Sequence, residues 1–139
     1  MSRIITYRGT VQQWHCDHMG HMNVMWYVGK MDEATWSFFS SIGVTPTYIR
    51  DSHCGMAAVQ QNISYRRELM AGDSVEVYTV LLEIRDRVIR FTHEMRNIET
   101  GEVAAMCELT GVHMDRVARK SVPFPEAIRA SAQSYIETT

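Results

Sequence analysis

Along this chain apolar residues recur first at every second position, then at every third and fourth, then at every second again. Residues 3–14 collect β-branched and aromatic side chains (Ile4, Ile5, Thr6, Tyr7, Thr10, Val11, Trp14) and predict a strand. From Val24 the step lengthens. Val24, Tyr27, Val28, Met31, Ala34, Thr35, Phe38 and Ile42 form one stripe, while Lys30, Asp32, Glu33, Ser37 and Ser41 fill much of the other side. That pattern is an amphipathic helix of about five turns, roughly 28 Å long at 1.5 Å per residue. Asn23 is placed to cap its start, because a short polar side chain can accept an orphan N–H of the first turn. Gly43 is placed to end it, where a left-handed residue is expected.

After a polar loop over residues 44–54, which holds Pro46, the two-residue period returns and continues to residue 114. Ala57, Val59, Ile63 and Tyr65 alternate with Ala58, Gln60, Asn62 and Ser64. Val75, Val77, Thr79 and Leu81 form the next apolar row, and Ile89, Phe91, His93 and Met95 oppose Arg90, Thr92, Glu94 and Arg96. Turns fall at Ala71-Gly72-Asp73 and at Glu99-Thr100-Gly101-Glu102, and Val103 to Met114 reads as a further strand. Pro123 and Pro125 mark a boundary before a short C-terminal helix over residues 125–138. Strand, long helix, then four strands on tight turns imply an α+β fold: an antiparallel sheet of about five strands with the helix covering one side. One sheet and one helix make a thin core, so self-association that extends the sheet or covers its edges is expected.

The length, 139 residues, suits one domain spanning residues 1–139. With 14 Lys+Arg against 16 Asp+Glu the net charge is −2, which leaves no cation surplus for a nucleic-acid partner. No eighteen-residue apolar run offers a membrane span, and the N-terminus breaks too early for a signal peptide. Cys16, Cys54 and Cys107 are odd in number and widely spaced, unlike a disulfide framework. A reducing, cytoplasmic compartment is the expectation.

The densest polar chemistry is His15-Cys16-Asp17-His18-Met19-Gly20-His21-Met22-Asn23, which leads straight into the long helix. Unpaired N–H groups and the helix dipole favour negative charge there, so an oxyanion would be stabilised without a metal or an arginine. Asp17 stands six residues before the cap, near enough for a folded-back loop to bring its carboxylate to the helix mouth. A carboxylate beside oxyanion-stabilising backbone is chemistry for acyl transfer or hydrolysis.

The pattern Asp17-x-x-Gly20-His21-x-Asn23, followed by Tyr27 and then Glu33-Ala34, resembles the signature of hot-dog-fold acyl-CoA thioesterases, the relatives of 4-hydroxybenzoyl-CoA thioesterase. Tyr65-Arg66-Arg67, then Gly72-Asp73 and a strand, is similar to that family's entry to the middle of the sheet, and the likeness spans residues 3–114. Val24 and Thr35 stand where many relatives carry Asn and Arg. The resemblance implies that Asp17 is the catalytic carboxylate, attacking the thioester carbonyl or activating water. It implies that the Val24 backbone N–H serves the oxyanion, that Gly20 lets the loop pass close to the substrate, and that His21 and Asn23 shape the loop. His18, Tyr27, Arg66 and Arg67 become candidates for substrate contact. Gln60, Gln61, Asn62 and Ser64 become candidates from a partner strand, because the family's site lies at a dimer interface. The implied substrate is an acyl-CoA, the assembly a homodimer or homotetramer, and no metal or redox cofactor is needed.

Other readings of the same residues are weaker. The histidine spacing around Asp17 fits neither a C-x-x-C pair nor H-E-x-x-H, which argues against zinc. Cys16 as a nucleophile needs a spatial histidine partner and a depressed pKa. Glu33 lies about 15 Å along the helix from Asn23, too far to join Asp17 at one carbonyl within one subunit. An enoyl-thioester hydratase or dehydratase would carry prolines around the loop glycine, and none occurs between His15 and Asn23. A non-catalytic dimeric module that binds acyl-CoA would keep the same groove.

Overall fold

In a computed structural model, residues 3–137 are described. They form β1 (Arg3–Thr10), α1 (Val24–Ser41), α2 (Pro46–Ser52), β2 (Cys54–Tyr65), β3 (Ser74–Ile84), β4 (Val88–Asn97), β5 (Val103–Asp115), β6 (Lys120–Ser121) and α3 (Glu126–Glu137). Every strand pairing is antiparallel, in the order β1-β3-β4-β5-β2, with the short β6 added to β5. β1 and β2 are therefore the two edges of the sheet.

Alternation decides which face is dry. Ile89, Phe91, His93 and Met95 of β4 are buried, as are Val75, Val77, Thr79 and Leu81 of β3. They meet the stripe of α1, where Tyr27, Met31, Ala34, Phe38 and Phe39 are buried. The Phe91 ring lies 5.1 Å from that of Phe38 and 5.6 Å from that of Phe39, centroid to centroid. Ile128 and Ala132 of α3 enter the same core, and Tyr135 packs edge-on to Phe38. A curled antiparallel sheet around one long helix is the hot-dog fold. Both predicted helix ends hold: the Asn23 side chain accepts the Met25 N–H, and Gly43, just past the end, has φ +106°.

Three local expectations are corrected. The first strand stops at Thr10 rather than residue 14, and Gln13–His15 form a 3₁₀ turn. The expected loop over 44–54 contains α2, because the Thr45 hydroxyl accepts the Tyr48 N–H and Pro46 sits in the first turn, where its missing N–H costs nothing. In β2 the alternation slips. Ala58 pairs with Gly111 but Gln60 pairs with Thr110 and Gln61 with Leu109, so a bulge falls at Val59. Cross-strand partners share a face. Gln61 therefore follows Ala58 and Met56 onto the helix side, while Gln60, Asn62 and Ser64 turn to the other.

A polar chain crosses the core between α1 and β1. Thr35 Oγ1 donates to the Met31 carbonyl at 3.0 Å and lies 2.7 Å from His93 Nε2. His93 Nδ1 is 2.7 Å from the Thr79 hydroxyl, which is 2.8 Å from that of Thr6. With the Thr35 proton on a carbonyl, a neutral His93 donates through Nε2 and accepts from Thr79 at Nδ1, and the one Thr6 proton is shared between Thr79 and the more distant Val77 carbonyl at 3.4 Å. Burial pushes the pKa of His93 down to about 4, so the ring is neutral.

Candidate active site at the start of the long helix

The loop ahead of α1 is closed by its own backbone. The Asp17 N–H donates to the His21 carbonyl at 3.2 Å, the Gly20 N–H to the Asp17 carbonyl at 3.0 Å, and Cys16 bridges to Met22. Gly20 takes φ +89°, a conformation that a residue with a Cβ rarely adopts. The loop is tied to the body by the Met22 N–H on the Leu69 carbonyl (2.7 Å) and the Asn23 N–H on the His15 carbonyl (2.9 Å).

Asn23 does two things with one amide. Its Oδ1 accepts the Met25 N–H at 2.9 Å and caps the helix, while its Nδ2 donates to Asp17 Oδ2 at 2.7 Å. The Met19 N–H donates to the other carboxylate oxygen, Oδ1, at 2.9 Å. Hydrogen bonds from Asn23 and then Met19 hold the Asp17 carboxyl below the usual aspartate range, so it is ionised at neutral pH. Each carboxylate oxygen still has a free lone pair. Beside it, Val24 is the first helical residue, and its N–H lacks an intrahelical acceptor. An anion and an unspent donor therefore share one helix end.

A cleft of about 230 Å³ opens at this end of α1, walled by His21, Met22, Val24 and Tyr27 on one side and Tyr65, Arg66, Arg67 and Glu68 on the other. Asp17 is outside that lining and meets the helix start through Asn23. Tyr27 is committed to architecture: its hydroxyl donates to the Arg67 carbonyl at 2.8 Å, and burial raises its pKa to about 12. Arg67 Nε donates to Glu102 at 2.9 Å. Arg66 borders both this cleft and a hollow on the outer sheet face, and among the described residues its guanidinium has no carboxylate partner.

Of the other sequence candidates, His18 is exposed beside Asp17, and His21 Nε2 is 3.6 Å from Glu68. Gln60 and Asn62, candidates for a partner's site, lie on the outer face of the sheet, where Asn62 borders the hollow shared with Arg66. His15 is buried, accepts the Gln12 N–H and packs 4.4 Å from the Trp26 ring, so its role is structural. Among the described residues no three His, Cys, Asp or Glu side chains converge as a metal site would require. Sequence reasoning missed Tyr65 and Glu68 as cleft walls. Tyr65 meets Tyr27 edge-on at 5.2 Å, a pairing across 38 positions that no local pattern reveals.

The thioesterase-like superfamily model matches residues 11–131. An L-carnitine dehydrogenase/betainyl-CoA thioesterase of Agrobacterium fabrum is 31% identical over 112 residues, which is 81% of this chain but 23% of that protein. The chain thus spans about a quarter of the length of the curated relatives it matches. Among solved structures, a putative thioesterase of Pseudomonas putida is 27% identical with TM-score 0.85, covering 99% of this chain and 87% of the other. A Staphylococcus aureus protein solved in complex with CoA has TM-score 0.93 at 19% identity, covering 100% and 88%; at that identity the likeness shows the fold alone. The fold, the capped loop and the matched span together place this chain in the thioesterase-like superfamily.

Proposed function

We propose that this chain hydrolyses an acyl-CoA thioester to a free acid and coenzyme A, with Asp17 as the catalytic carboxylate. The observation that carries the reading is the single Asn23 side chain that bonds both the first turn of α1 and the Asp17 carboxylate. A thioester carbonyl laid against the helix start would put its oxygen on the Val24 N–H and its carbon near the Asp17 oxygens. As the carbon becomes tetrahedral, negative charge grows on the carbonyl oxygen, where the N–H and the helix dipole stabilise it. Asp17 either attacks the carbon, giving a mixed anhydride that water cleaves, or takes a proton from an attacking water. The CoA thiolate leaves without a strong acid, and the reaction so read uses water and no cofactor.

Arg66 is the cation assigned to the CoA phosphates, since Arg67 is paired with Glu102. The unpaired edge of β2 is the surface on which a second copy would complete the sheet. Membership of the thioesterase-like superfamily and the names of the relatives support hydrolysis, and those names put betainyl-CoA in the first substrate panel. The test is thiol release, followed with a thiol-reactive dye, from a set of acyl-CoAs by the parent chain and by Asp17→Asn and Asp17→Ala. Release by the parent that both variants lose while staying folded supports the reading. Binding without release points instead to an acyl-CoA-binding module.

A further inference from the structure

We propose that a second cleft, midway along α1, holds the acyl end of the substrate and selects a quaternary ammonium group. The inference rests on the thioesterase reading and adds the substrate class. The cleft is small, about 80 Å³, and lies between Asp32, Trp36 and Phe39 of the helix and Met56, Gln61 and Gly111 of the sheet. The Trp36 and Phe39 rings stand 5.5 Å apart at 85°, forming two walls of an aromatic corner. Trp36 is 39% exposed, and Asp32 is exposed and has no cationic partner among the described residues. Neither Lys nor Arg borders the cleft.

A carboxylate beside two ring walls is the chemistry that attracts an organic cation. Apart from Asp32 and Gln61, the side chains lining the cleft offer an N–H ammonium no spare acceptor. Thr35, the hydroxyl in the cleft wall, already spends its proton on Met31 and its oxygen on His93. Met56, Phe39 and Leu109 offer carbon and sulfur surface instead, which suits methyl groups. Gln61 reaches this side because of the Val59 bulge.

Asp32 stands about 12 Å along the axis from Val24 at 1.5 Å per residue. An ammonium two bonds from the reacting carbonyl carbon spans far less. The cleft therefore serves a carbonyl held at the helix start of a second copy, and the complete site takes α1 residues from both copies.

The test compares betainyl-CoA with 3,3-dimethylbutanoyl-CoA, which has the same shape with carbon in place of the charged nitrogen. For the parent, kcat/KM for the charged thioester should exceed that for the neutral one by about tenfold, and Asp32→Asn or Trp36→Leu should erase most of that ratio. Equal rates in the parent, or a ratio unmoved by both variants, would overturn the proposal while leaving a thioesterase. The same ratio read as Kd by calorimetry on Asp17→Ala decides the matter independently of turnover. Charge-selective binding lost in Asp17→Ala/Asp32→Asn supports the cleft even if no thioester is hydrolysed. A chain that sediments as a monomer at assay concentration contradicts it.

Discussion

Two polar assemblies hang from the same helix, and they behave oppositely. At the start of α1, Asp17 and Asn23 share a 2.7 Å hydrogen bond in a loop open to solvent. Three turns further on, Thr35 and His93 share a bond of the same length in a site with no exposure at the histidine. The difference lies in spare capacity. Each Asp17 oxygen holds one bond and can take another, and the Val24 N–H beside it is unspent. In the Thr35–His93–Thr79–Thr6 chain every proton and ring nitrogen is used, so the chain fixes helix to sheet and has nothing left for a substrate. Bond length says little about function here, and unfilled donors and acceptors say much.

The widest separation between the two assemblies comes from removing one residue in each. Asp17→Ala should lower kcat/KM for thiol release by about 10²–10⁴-fold, with a melting temperature close to the parent's. His93→Ala should do the reverse. It opens a cavity and strands the Thr79 hydroxyl, at a cost of about 3 kcal/mol in denaturant unfolding, with turnover per folded molecule near the parent's. A swap of these outcomes would break the contrast.

A smaller effect follows from the titration of His93. Its pKa is lowered from 6.5 unfolded to about 4 folded, so between those values the unfolded chain binds a proton that the folded chain refuses. Stability from this group is therefore complete above about pH 6.5 and falls as the pH drops toward 4, by up to about 1.4 kcal/mol per pH unit. Melting curves across that window should show the slope, and His93→Gln should flatten it. Asp17 has the opposite profile of risk: its lowered pKa keeps it ionised throughout the same window.

Much of this was legible in the residue order, and the failures have physical causes. β4 reads cleanly because each inward position meets the core and each outward one meets solvent, with His93 visible as the polar member of the apolar row. The cap was legible because a helix start is a local problem that Asn23 solves with its own side chain. β2 misled only ahead of its bulge, where Met56 and Ala58 rather than Ala57 face the helix; Ile63 and Tyr65 keep the face that the alternation predicts, and the strand is exposed enough that burial does not pin its register. α2 lies where the polar run predicts a loop, although Thr45 before Pro46 is a helix-start signal. The cleft walls Tyr65 and Glu68 were invisible because only the closed sheet brings them to the helix.

The most direct test of the account is kcat/KM for Asn23→Asp. This change keeps the cap oxygen and the shape but replaces the amide donor that holds Asp17 with a second acceptor. Thermal stability should stay near the parent's, because Asp caps a helix as well as Asn, and thiol release should fall about tenfold or more, because the carboxylate is no longer held in place. Parental activity in that variant would contradict the claim that Asn23 sets the position of the catalytic carboxylate.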